Sequence, residues 1–167
     1  MIKIKTVKET TGKTGAASVL AKPGEGESKM EREVVEYADR LARQYYDPET
    51  FAHALRVADY VREQPLIDDA MRDDCIALAL MHDLWEDTDC PRGILADRAH
   101  LRACLLLLTR SGGIPYMTYI RNIRAHAADM PEACWVKLAD MKDHLALTET
   151  LTDRLKEKYL QALPCLL

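Results

Sequence analysis

Seven consecutive residues, 75–81 (Cys-Ile-Ala-Leu-Ala-Leu-Met), carry no charged or hydrogen-bonding side chain stronger than a thiol, and the chain then turns abruptly polar as His-Asp-Leu-Trp-Glu-Asp. A run that is apolar on every face is either a buried strand or a helix surrounded by other elements. Ala, Leu and Met favour the helix, and no turn residue interrupts roughly twenty positions around them. The spacing therefore predicts a central buried helix that ends in a polar cluster. At the end of that helix His82 and Glu86 share one ridge, Asp83 and Asp87 the next, and Asp83 also faces Glu86. Carboxylates at this density repel one another unless a cation or a shared proton relieves them, so the cluster reads as a divalent-metal hydrolase centre. The competing reading is a solvated helix end with a chance histidine.

The surrounding sequence supplies the other helices. Apolar positions Val34, Val35, Ala38, Leu41, Ala42 and Tyr45 follow helical spacing over 29–46. Asp47 then caps a second helix, with Pro48 at its first position, running to about Glu63. Asp68 or Asp69 caps the central helix. Residues 94–108 give one helix or two short ones, Ser-Gly-Gly-Ile-Pro at 111–115 is the strongest break and a candidate lid or rim, and 116–127, 131–148 and 151–162 complete the set. About seven helices without a convincing strand predict an all-α globule over 29–167.

Residues 1–28 hold four of the seven glycines and five lysines without helical periodicity, which predicts a mobile arm, with Ile2, Ile4 and Val7 able to form only a lone short strand. Thr-Gly-Lys-Thr at 11–14 is no phosphate loop, because position 7 is Val where that motif needs Gly. A net charge of −4 argues against a nucleic-acid polymer as partner. Five scattered cysteines without Cys-x-x-Cys spacing suit a reducing cytoplasm, and no apolar run reaches membrane-spanning length.

Two further polar residues lie in apolar helical surroundings. His53 sits among Phe51, Leu55, Val57 and Ala58, and Asp140 follows Leu138-Ala139, where a buried carboxylate needs a partner. His53, His82, Asp83 and Asp140 together make a mixed N/O set suited to Mn, Fe, Zn or Mg. His100, His126 and His144 taken alone have simpler accounts as hydrogen-bonded or surface imidazoles.

The order His, His-Asp, Asp resembles the HD superfamily of metal-dependent phosphohydrolases. More narrowly, residues 79–89 (Ala-Leu-Met-His-Asp-Leu-Trp-Glu-Asp-Thr-Asp) and 136–140 (Val-Lys-Leu-Ala-Asp) resemble the RelA/SpoT-type hydrolase domain and its small stand-alone relatives, which remove pyrophosphate from guanosine tetra- and pentaphosphate. The resemblance spans about 30–165. It implies an HD-like fold with the metal, most simply Mn, between helices, His53, His82, Asp83 and Asp140 as ligands, and Glu86 and Asp87 as catalytic carboxylates.

The chain departs from that family on the substrate side. Asp39, Leu41, Ala42, Gln44 and Tyr45 stand where the family has a His-x-Gly-Gln and an Arg-Lys pair, and His144 stands where it has Asn against the nucleotide. A small phosphorylated nucleotide is thus the expected partner, with Arg56, Arg110, Lys137, Lys142 and His144 as candidate contacts. Competing expectations are a nucleotidase releasing orthophosphate, for which His-Ala-Leu-Arg-Val-Ala at 53–58 is equally suited, a catalytically silent nucleotide sensor, and a helical structural protein. Oligomeric state is open.

Overall fold

The computed structural model describes residues 29–167; the arm and the short strand expected at 1–28 lie outside them. Within the described residues the chain is all-helical, with seven helices of ten or more residues and one of four. They are α1 (Lys29–Tyr45), α2 (Pro48–Arg62), α3 (Asp69–Met81), α4 (Leu84–Asp87), α5 (Ala99–Leu108), α6 (Tyr116–Ala125), α7 (Pro131–Ala146) and α8 (Asp153–Leu166). No helix among them is long and apolar enough to cross a membrane.

Helix starts follow local chemistry. Asp47 accepts from the backbone N–H groups of Glu49 and Thr50 at 2.8 and 3.1 Å, and Pro48 opens α2 where its missing N–H costs nothing. Asp68 caps α3 through Ala70 N, and Thr152 caps α8 through Leu155 N. Arg72 on α3 donates to the carbonyls of Arg62, Gln64 and Ile67, which pins the connection from α2. Gly113 adopts φ +83°, a left-handed conformation that favours glycine, in the bend between α5 and α6.

Helix α3 is the axis of the fold, and every residue from Cys75 to Met81 is buried. It packs against α1, α2, α5 and α7, while α8 closes over α6 and α7. Fully burying a leucine such as Leu78 contributes about 1.5–3 kcal/mol, so this helix is held by its neighbours more than by intrinsic propensity.

The end of α3 differs from the sequence expectation. The helix stops at Met81, and Asp83 (φ −99°, ψ 3°) opens the separate turn α4, its carbonyl accepting from Glu86 and Asp87. Met81, His82, Leu84 and Trp85 are all buried, whereas Asp83 between them is only half-buried. Beyond the break Leu84 and Trp85 remain buried, while Glu86 and Asp87 are exposed. The predicted unbroken helix through Asp87 therefore does not form, although the Asp87 N–H to Asp83 carbonyl bond keeps Asp83 and Asp87 one turn apart.

Candidate metal centre

Three segments meet at one point: α2 brings His53, the α3–α4 junction brings His82 and Asp83, and α7 brings Asp140. His53 Nε2 lies 3.2 Å from His82 Nε2, 3.3 Å from Asp140 Oδ1 and 3.9 Å from Asp83 Oδ2. His82 Nε2 lies 3.1 Å from Asp83 Oδ2 and 3.7 Å from Asp140 Oδ1. Ligand atoms about 2.1 Å from a shared ion stand roughly 3.0 Å apart at right angles and roughly 3.4 Å apart at tetrahedral angles. His53, His82 and Asp83 form one cluster of metal-ligand size, and Asp140 joins His53 and His144 in a second that shares His53.

The far side of each imidazole fixes which nitrogen faces the centre. His82 Nδ1 is 2.8 Å from the carbonyl of Ala79, which can only accept, so Nδ1 carries a proton and Nε2 is the nitrogen that faces the centre. His53 Nδ1 donates likewise to Asp143 Oδ2 at 2.7 Å. Asp143 is itself gripped by Arg56, whose Nε and Nη2 donate to its two oxygens at 2.8 and 2.9 Å. This chain from Arg56 through Asp143 to His53 is the kind of backing that orients a metal-binding histidine.

Four inward-facing electron-rich atoms must share protons or a cation, and the titration of the metal-free groups reflects this. Burial alone would depress His82, but Asp83 and Asp140 outweigh it and push the imidazole up to about 10. His53 is raised on the same balance, burial opposing and Asp140 and Asp143 prevailing. Burial opposes ionisation of Asp140 too, yet Lys137 and hydrogen bonds from His144, His53 and His82 hold it well below the usual carboxylate range. Lys137 Nζ is 2.5 Å from Asp140 Oδ2, and His144 Nε2 is 3.2 Å from Oδ1.

Beyond the four groups the wall becomes basic and aromatic. The His144 ring stacks on Tyr159 with centres 5.2 Å apart and planes 9° from parallel, and lies 4.9 Å from the His53 ring. Lys158 Nζ sits 4.2 and 4.8 Å from the ring centres of Tyr116 and Tyr159. Burial, then the charges of Lys137 and Arg110, push the Lys158 ammonium below its ordinary value, with the charges of Asp140 and Glu86 opposing them.

The other predicted residues divide. Glu86 is exposed and accepts from the backbone N–H of Arg110 at 3.1 Å, while the Arg110 guanidinium donates to Ile114 O. Asp87 is raised by burial, then by the charges of Asp83 and Glu86, which places it electrostatically beside the centre. Arg56 is engaged with Asp143 rather than facing the four groups. Lys142 does not join the site: its ammonium lies 4.1 Å from the Tyr60 ring centre, on a separate apolar groove that also includes Leu66, Trp135 and Leu163.

Sequence reasoning missed Asp143, Tyr116, Lys158 and Tyr159. Asp143 had a readable signal, since it lies three residues after Asp140 on one helix face. The other three depend on how α6 and α8 dock. No protein-family model matches the chain, and no curated protein matches it.

Proposed function

We propose that this protein is a metal-dependent phosphohydrolase acting, in the cytoplasm, on a small phosphorylated nucleotide. The observation that carries the reading is the convergence of His53, His82, Asp83 and Asp140 with both histidines turned inward by fixed partners. The resemblance to the HD phosphohydrolases supports it independently. A mixed N/O set of this kind favours Mn, with Fe, Zn or Mg as alternatives. Such an ion supplies Lewis acidity to a phosphoryl oxygen and to an attacking water.

The protein's own groups take the remaining roles. Asp140 and Asp83 offset the charge of a dication, while Lys137 keeps Asp140 ionised. Lys158 and Arg110 provide positive charge for further phosphoryl oxygens. His144, flat against Tyr159, offers a surface for a base or ribose. Glu86, outside the ligand set, orients the water and accepts its proton, with Asp87 assisting.

A nucleotide screen with added Mn, separating pyrophosphate from orthophosphate as product, tests this reading. We expect metal-dependent release of one of them, lost in His82→Ala. Folded wild-type protein that hydrolyses no nucleotide with Mn, Fe, Zn or Mg would overturn it.

A further inference from the structure

Glu132 lies in the first turn of α7, eight residues before Asp140 and so about 12 Å away along the helix axis. Its side chain is buried, although burying a carboxylate is costly without strong partners. Its partners come from α5. His100 and Cys104 are four residues apart on one helix face, and both turn toward Glu132. His100 Nε2 is 3.0 Å from Oε1, Cys104 Sγ is 3.9 Å from Oε2, and Sγ is 3.6 Å from His100 Nε2. Cys104 is fully buried, and no lysine or arginine pairs with Glu132 among the described residues.

These are the spacings of metal ligands. With bonds of about 2.3 Å to sulfur and 2.0–2.2 Å to nitrogen and oxygen, tetrahedral ligand atoms stand roughly 3.4–3.6 Å apart. A thiol, an imidazole and a carboxylate within 3.0–3.9 Å of one another bracket that range. Asp74 on α3 lines, with His100, a depression of about 210 Å³ at the same place, and Arg98 on its rim balances part of the acidic charge.

We propose that His100, Cys104 and Glu132 form a second metal site, distinct from the His53/His82/Asp83/Asp140 centre, for a zinc-type ion with Asp74 or water as fourth ligand. One thiolate, one imidazole and carboxylate oxygen favour a borderline-soft ion over Mg or Ca. Binding releases the Cys104 thiol proton to solvent and forms the Sγ–metal bond. The ion would tie the start of α5 to the start of α7, which makes its role structural.

Cobalt(II) titration of the full chain tests the site, because a thiolate ligand produces a sulfur-to-cobalt charge-transfer band in the near ultraviolet. The first centre contains no cysteine, so the two sites are read separately. We expect the band in wild type and in His82→Ala, its loss in Cys104→Ser, and weaker cobalt binding in His100→Ala, an exposed position unlike Cys104 where truncation leaves the core intact. No band in folded wild type with excess cobalt, a band that survives Cys104→Ser, or one lost in His82→Ala would overturn the proposal.

Discussion

The deep wall of the candidate metal centre and its outer rim are built on opposite principles. On the wall, each inward-facing imidazole is held from behind, His82 by Ala79 O and His53 by Asp143, and Asp140 is locked by Lys137 and His144. On the rim, Glu86 faces solvent and Lys158 is crowded by Lys137 and Arg110. The wall is organised before anything binds, whereas the rim sets Lys158 and Arg110 beside an exposed carboxylate, Glu86. Residues on the wall should therefore govern metal retention, and residues on the rim should govern turnover and choice of substrate.

The largest expected effect is on the wall. Asp140→Ala should abolish metal binding and activity together, and because it strands the buried Lys137 ammonium it should cost about 3–5 kcal/mol of stability. Denaturant melts with elemental analysis check this; a variant as stable as wild type would show that Lys137 finds another partner. Glu86→Gln on the rim is expected to keep the metal and lose about 10²–10⁴-fold in turnover. Metal loss in this variant would move Glu86 onto the wall.

Asp143→Asn probes the boundary between the two regions. An amide weakens the hold on His53 and leaves Arg56 without its ionic partner, so metal affinity should fall about 10–100-fold while the fold persists. Unchanged affinity would mean that His53 needs no backing. The smallest effect is expected at His144→Asn, which introduces the amide that the hydrolases this sequence resembles carry at that position. It should raise kcat/KM for guanosine tetraphosphate relative to mono-, di- and triphosphates, and wild-type protein should handle guanosine tetraphosphate poorly. Efficient, selective cleavage by wild type would contradict the argument from the missing Arg-Lys pair.

The same division explains what could be read from sequence. Helix boundaries at Asp47-Pro48 and Asp68 rest on short-range capping chemistry, and the buried α3 announces itself by composition. His53, His82, Asp83 and Asp140 stand out as polar residues in apolar company. The break at Asp83 was not readable, because no glycine or proline marks it. Lys142 was placed at the site because it follows Asp140 closely in sequence, yet two residues along a helix turn a side chain to nearly the opposite face. Arg56 shares the face of His53 but is committed to Asp143, a pairing across 87 positions. Lys158 and Tyr159 belong to the rim only because α8 docks on α6 and α7.

The central claim is that four groups from three segments form one preorganised divalent-metal site. Its most direct test is calorimetric Mn titration of Cys104→Ser protein, which removes the thiolate cluster, with and without His82→Ala. The account predicts one tight Mn site per chain in the first. Because His82 is held protonated in the metal-free fold, with its pKa pushed up to about 10, binding at neutral pH should also release protons and strengthen as pH rises toward that value. His82→Ala should lose both the site and the proton release. Folded Cys104→Ser protein that binds no Mn, or binds it equally well without His82, would contradict the account.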